Sequence, residues 1–271
     1  MKRRWLEIIM AGMAASLAAC QTVQTTQSGV VGIERKQTML VSSNTINGSA
    51  AKAYQQTLQE AAKKGQLNRD AAQLARVRAI AGRLISSTGT FRPDAPGWRW
   101  EENVISSKDV NAWCMPGGKI AVYTGLIDRL KVTDDELAAV MGHEIAHALR
   151  EHGRERASQA LTQSLAIGII GAAAGISRDA MDLSQMVLDL TFNLPNSRTD
   201  EVEADRIGVE LAARSGYDPR AAISLWQKMT QASGGQPPQW LSTHPSHERR
   251  IQDLQVYAER VMPLYRSAQK R

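Results

Sequence analysis

Hydrophobic residues fall into distinct rhythms along the chain, and each rhythm predicts an element. Residues 21–49 are rich in Gln, Thr, Ser, Gly and Asn and show little periodicity. From about Ala50 to Ser86 the pattern becomes helical, with Leu67, Leu74, Val77, Ile80, Ala81 and Leu84 recurring among charged residues. Pro93, Pro96 and Gly97 mark a loop. Between Trp98 and Leu130 the signals are those of strands: one over Trp98 to Ile105, one over Val110 to Trp113, and one over Lys119 to Thr124 after the turn Pro116-Gly117-Gly118. Thr133 and Glu136 then form a capping box, with Asp134 and Asp135 complementing the helix dipole, and Leu137, Val140, Met141, Ile145 and Ala148 give that helix an apolar side. Gly153 is its expected stop, so the spacing predicts a helix over 134–152.

Further along, residues 157–190 read as helical and contain an apolar run from Leu165 to Ile176. Twelve residues reach only about 18 Å as a helix, too short for a bilayer, so the run predicts a buried core helix. Helices are also expected over Thr199 to Ala213, from Asp218-Pro219 through Ala232, and over about 246–268, with a Gly- and Pro-rich loop over Ser233 to Pro238.

The first twenty residues stand apart. Lys2, Arg3 and Arg4 precede a mostly apolar stretch from Trp5 to Ala19, which ends Leu17-Ala18-Ala19-Cys20. Fifteen residues are short for a membrane span, and small residues precede the junction, as in a secretory signal. The ending resembles a bacterial lipobox, with Glu7 as a departure, and implies lipidation at Cys20. Gln21 in place of Asp implies the outer membrane of a Gram-negative cell, with the protein facing the periplasm. The expected organisation is a signal peptide over 1–19, a lipid-anchored tether over 20–49 and a folded domain over 50–271. The chain has 271 residues and only two cysteines, Cys20 and Cys114, so lipidation of one leaves no intrachain disulfide. The net charge of +6 is dispersed, and no basic run beyond Lys2-Arg3-Arg4 points to nucleic acid.

The chemistry is concentrated in His143-Glu144-Ile145-Ala146-His147. Histidines four apart on a helix share a face, so both imidazoles can reach one ion, and zinc accepts neutral nitrogen ligands. Glu144 is rotated about 100° from His143, within reach of a water at the metal without being a ligand. A third ligand is required. Glu201 and Asp205, four apart on a later helix, offer a ligand and a carboxylate to orient a ligating histidine. On spacing alone, an acidic, capped helix start explains Glu201 as well. Glu203 points elsewhere by about 200° and is expected to be solvated or to act from behind the ligands.

The pair His143-Glu144-x-x-His147 and Ser197-Arg198-x-x-Glu201-x-Glu203-Ala204-Asp205 resembles peptidase family M48, the gluzincins related to CAAX prenyl proteases. Asp109 to Ala112, Pro116 to Gly118, Val122 to Leu126, and Thr243-His244-Pro245 with Arg250-Ile251 resemble further motifs of that family, over roughly residues 70–260. The resemblance makes Glu201 the third zinc ligand and implies one zinc ion per chain. It places His244 near the metal, either blocking the site or stabilising the oxyanion, and gives Arg198 a bracing role or a plain salt bridge at the helix start. The strand around Asn111 to Pro116 is similar to the family's edge strand, along which an extended substrate pairs. Cys114 departs from the apolar residue usual there; it reads as a buried small hydrophobe or as a thiol near the metal.

These readings combine into an α+β domain, mostly helical, with a small sheet beside the zinc helix. The implied activity is endopeptidase cleavage of unfolded or misassembled cell-envelope proteins. The rival is a zinc-bound latent module of chaperone-like character that rarely cuts.

Overall fold

The computed structural model describes residues 21–173, 182–232, 238–245 and 249–270. The signal stretch and Cys20 lie outside the described residues, as do residues 174–181 and the side chains from Leu165 to Ala173, which hold the apolar run.

A three-stranded sheet of β3 (Glu101–Ile105), β4 (Ala112–Met115) and β5 (Lys119–Tyr123) has the order β3-β5-β4, with β3 parallel and β4 antiparallel to β5. Asn103 pairs with Ala121, and Cys114 with Ile120. Gly117 and Gly118 both take φ of 82° in the β4–β5 turn, a left-handed conformation that favours glycine. A side chain at Gly118 would in addition strike the Trp100 ring at 2.6 Å. The alternation of β4 serves two cores, so all four of its residues are buried. Ala112 and Cys114 join the main core under helix α4 (Asp134–Leu149), whereas Trp113 and Met115 join a second core with α1 (Ser43–Lys63) and α6 (Leu183–Phe192).

Helix α4 starts with the expected capping box: Glu136 N–H donates to Thr133 Oγ1 at 3.2 Å, and Thr133 N–H to Glu136 Oε2 at 2.9 Å. It is not one-sided. Every residue from Glu136 to Leu149 is buried, because α4 runs through the middle of the body. It packs against β4, α2 (Ala71–Ser87), α7 (Arg198–Arg214) and α8 (Ala221–Ala232). Gly142 and Gly208 allow α4 and α7 to touch backbone to backbone: a Cβ on Gly208 would lie 2.8 Å from His143 N.

The stop at Gly153 is not observed. The chain breaks at Arg150-Glu151, where Glu151 adopts φ of 53°, and α5 (His152–Ala173) begins immediately. Three partners hold the unusual Glu151: Ser43 Oγ at 2.6 Å, Arg154 at 2.6 Å and Arg92 at 3.2 Å.

The stretch expected as a tether is packed into the body. Strands β1 (Gln21–Val23) and β2 (Gln37–Met39) pair antiparallel, and Val31, Ile33 and Met39 are buried. Periodicity is weak there because polar contacts do much of the holding: Gln37 Nε2 donates to Glu155 at 2.6 Å, and Ser158 Oγ accepts from Leu40 and Val41 N–H. Helix α1 accordingly starts at Ser43, capped by Ser42, earlier than Ala50.

Two other elements differ from expectation. Trp98 and Trp100 stack at 5.4 Å ahead of β3 instead of extending it, with the Trp100 indole donating to Ala95 O at 2.8 Å. Thr124–Leu130 is a helix, α3, not strand. After α8, the short α9 (Gln239–Thr243) and the long α10 (Arg250–Ala268) complete the described chain. Among the described residues no helix is long and apolar enough to cross a membrane.

Candidate metal centre

Helix α4 carries His143 and His147, α7 carries Glu201, Glu203 and Asp205, and the end of α9 delivers His244. The start of α7 is set by a second capping box between Ser197 and Asp200. Together with the Gly142–Gly208 contact, this brings the first turn of α7 against the middle of α4.

One ligand atom from each of His143, His147, Glu201 and His244 lies within 4.8 Å of the other three, and all four residues are buried. His143 Nε2 is 3.0 Å from His147 Nε2, 3.6 Å from Glu201 Oε2 and 3.2 Å from His244 Nδ1. Glu201 Oε1 is 3.4 Å from His147 Nε2 and 3.0 Å from His244 Nδ1. Tetrahedral ligands about 2.05 Å from zinc are separated by about 3.3 Å, so these spacings suit that ion.

The donor chemistry also fits. His143 Nδ1 faces Asp205 Oδ1 at 3.0 Å and His147 Nδ1 faces His152 Nδ1 at 2.8 Å, which commits the outer nitrogens and turns both Nε2 atoms inward. Burial lowers the pKa of His143 against the raising effect of Asp205 and Glu201, favouring the neutral ring that a metal requires. Burial opposes ionisation of Glu201, yet the surrounding histidines hold its carboxyl well below the usual range. For His244, burial disfavours the charged imidazole, but the Glu201 and Glu144 carboxylates outweigh it and raise the pKa.

Arg250, fully buried, donates from Nη1 to Glu201 Oε2 at 2.8 Å and from Nη2 to Asp205 Oδ1 at 2.7 Å, while lying 3.6 Å over the Trp226 ring. It is the guanidinium that braces the site. Arg198, for which the family resemblance allowed either a bracing role or a plain salt bridge at the helix start, is exposed on the first turn of α7, beside Glu203 and Arg35. The signal for Arg250 was the closing Thr243-His244-Pro245 motif, which names the residue but not its two carboxylate partners.

Glu144 stands beside the donors. Its Oε1 accepts from the Trp240 indole N–H at 2.7 Å and lies 3.4 Å from His244 Nε2. Trp240 also stacks on His244 with centroids 4.6 Å apart, so one ring orients two site residues that sequence reading did not connect. Cys114 is buried, and burial pushes its thiol pKa well up, as for a small core residue. A cleft opens over Glu144 and His147, walled by β4 on one side and by Val187, Leu190 and Thr191 of α6 on the other.

Of the two expectations for Glu203, solvation or a place behind the ligands, the structure shows the second: it is 4% exposed. It accepts from Arg150 Nε at 2.8 Å, Arg35 Nε at 2.6 Å and His152 Nε2 at 3.1 Å. Arg35 comes from the segment between β1 and β2, so the supposed tether supplies part of the buried wall behind the site. Burial raises the Glu203 pKa, but the His152 and Arg35 hydrogen bonds overcome it and bring the value down to about 2. Because the folded pKa lies below the ordinary 4.5, the carboxylate stabilises the fold fully above pH 4.5, and this contribution disappears as pH falls toward about 2. The shift corresponds to a stabilisation on the order of 3 kcal/mol. Denaturant unfolding of Glu203→Gln against the parent is therefore expected to show a gap at pH 7 that closes between pH 4.5 and 2. A gap of constant size across that range would contradict this account.

Comparison with known proteins agrees with the geometry. A family model described as peptidase family M48 matches residues 71–258. The chain is 39% identical over 193 residues to metalloendopeptidase OMA1, mitochondrial, of Bos taurus, covering 66% of this chain and 36% of that one. It is 38% identical over 177 residues to the mitochondrial metalloendopeptidase OMA1 of Arabidopsis thaliana, covering 64% and 35%. Against the beta-barrel assembly-enhancing protease of Escherichia coli it is 30% identical over 171 residues, covering 59% and 35%. The chain thus spans about a third of the length of these relatives.

Proposed function

The chain belongs to peptidase family M48, and from that premise we propose that it is a zinc-dependent endopeptidase acting on unfolded or misassembled cell-envelope proteins. The observation that carries the reading is the convergence of His143, His147 and Glu201 beside Glu144, at the floor of a cleft walled by an edge strand.

Zinc at these donors supplies Lewis acidity toward the scissile carbonyl and toward water. The protein's own residues do the rest. Trp240 holds Glu144 Oε1, which leaves Oε2 to take the proton of the attacking water and to return it to the departing amine. Asp205 keeps the His143 ring in place, and Arg250 balances the charge of Glu201 and Asp205. The outer edge of β4 offers backbone groups to an extended polypeptide, a conformation that unfolded segments adopt readily. This favours unfolded substrates.

The envelope assignment draws on the signal-like N-terminus with Cys20 and on the name of the Escherichia coli relative. In this reading the protein is an outer-membrane lipoprotein facing the periplasm, held to the membrane by a lipid on Cys20, with no role for nucleic acid.

A latent form of the enzyme is the second reading, and His244 motivates it. Its Nδ1 stands where a fourth donor would, in the position that a catalytic zinc site keeps open for water. Casein digestion by the zinc-loaded protein separates the cases. The proposed peptidase cuts casein, and loses that activity and its zinc in His143→Ala. If the resting state is latent, His244→Ala cuts faster than the parent. If neither protein cuts while zinc is bound, the endopeptidase reading gives way to a zinc-bound, chaperone-like module.

A further inference from the structure

Glu201, Glu203 and Asp205 stand two apart on α7, so successive side chains diverge by about 200° around the helix axis. Asp205 reaches a metal ligand directly. Glu203 points away and touches neither ligating histidine, yet it is buried at the cost of three buried or half-buried cationic or polar partners. The group between Glu203 and the site is His152. It is 1% exposed, with its Nδ1 at 2.8 Å from His147 Nδ1 and its Nε2 at 3.1 Å from Glu203 Oε2.

We propose that His152 is a positioning residue for the metal centre, relaying the negative charge of Glu203 to His147 and fixing which nitrogen of that ligand carries its proton. This rests on the reading of His143, His147 and Glu201 as a zinc site.

The proton count leaves one arrangement. A neutral His147 that offers its Nε2 lone pair to a cation carries its only proton on Nδ1. At 2.8 Å that proton requires an acceptor, and the atom facing it is His152 Nδ1. His152 then holds its own proton on Nε2, where Glu203 accepts it. Glu203 cannot also donate, because Arg150 and Arg35 keep it a carboxylate. Every hydrogen bond in the series Arg150, Glu203, His152, His147 therefore has a single direction. The two ligands on α4 are served by two carboxylates of α7: His143 by Asp205 in one step, His147 by Glu203 in two.

The backbone explains how His152 gets there. On an unbroken helix a residue five beyond His147 would be rotated by about 140° and face away. The left-handed Glu151 folds the chain back so that His152 lies under His147, ring centroids 4.9 Å apart. The grip of Ser43, Arg92 and Arg154 on Glu151 thus serves the site, although none of the three is among the converging donors or the residues lining the cleft.

The test measures zinc affinity by chelator competition on the full chain, for the parent, His152→Phe and His152→Gln, with His147→Ala as the reference for a lost ligand. His152→Phe is expected to weaken zinc binding by roughly 10- to 100-fold. His152→Gln, whose amide can accept from His147 and donate to Glu203, is expected to restore most of it. Equal affinity in the parent and the Phe variant overturns the inference, as does a Gln variant no better than Phe. A parent that binds no zinc overturns the metal-site reading itself, which is a separate outcome. A measurement on the unmutated protein guards against a Phe variant that fails to fold. In the zinc-loaded parent, nitrogen NMR is expected to show a scalar coupling between the two Nδ1 nuclei across their shared proton. A His147 Nδ1 proton without that coupling sinks the proposal.

Discussion

Replacing Glu144 with Gln is expected to lower casein hydrolysis by about 10²- to 10⁴-fold, the usual share of general acid–base catalysis, with zinc content unchanged. The amide keeps the side chain's volume and can still accept from the Trp240 indole, so the buried packing around it survives. What it loses is the ability to hold a proton between the attack of water and the departure of the amine. Glu144 is not among the converging donor atoms, so the ligand set remains whole. Elemental analysis beside initial-rate measurement distinguishes the alternatives. A variant that loses zinc in step with activity would make Glu144 a ligand, and one that keeps near-parental rates would remove it from the chemistry.

The second large effect belongs to a residue with no side chain. In Gly208→Ala the new methyl would meet His143 N at 2.8 Å and His143 Cα at 2.9 Å, and both are backbone atoms of a helix buried on all sides. No rotamer can relieve the clash, so α4 and α7 must separate by a few tenths of an ångström. Overpacking of this kind costs about 1–3 kcal/mol. The separation also acts on the donors, because His143 and His147 ride on α4 while Glu201 rides on α7. Denaturant unfolding should therefore show a loss of stability, and chelator competition a weaker zinc site, in the same variant. Gly82→Ala is the control: its position within α2 is open, and the substitution is expected to gain about 0.5–1 kcal/mol from helix propensity alone. Parental zinc affinity in Gly208→Ala would show that the helix spacing does not set the ligand spacing.

How much of this was legible in the sequence depends on how far apart the interacting residues lie along the chain. The His143–His147 pair is a local pattern, with four residues and one helix face, and it could be read without a fold. The capping boxes at Thr133 and at Ser197 are equally local, and that at Thr133 is legible from the spacing of Thr133 and Glu136 alone. Glu201 needed the family resemblance, because nothing in a spacing of 54 residues between His147 and Glu201 requires them to meet. The pairing of Arg250 lies beyond the reach of such reasoning: its two carboxylates precede it by 49 and 45 residues, and only the packing of α10 on α7 joins them. His152 was hidden for another reason. Its visibility depended on a backbone break at Glu151, a non-glycine residue in a left-handed conformation that no turn signal announces. The segment between Gln21 and Ser42 failed to look folded because it is held by hydrogen bonds and ion pairs as well as by buried Val31, Ile33 and Met39, and hydrophobic periodicity registers only the latter kind of contact.

Helix α4 has consequences for how the protein comes apart. Its backbone amides between Ala138 and Leu149 are bonded within a helix whose residues are all buried, and the cleft meets it only at Glu144, His147 and Ala148, so solvent deuterons reach most of them only when the body opens as a whole. These amides should be the slowest in the molecule to exchange, at a rate set by global unfolding. The imidazoles of His143 and His147 therefore sit in the last cooperative unit to be breached, and zinc bound to them would slow exchange there in proportion to its affinity.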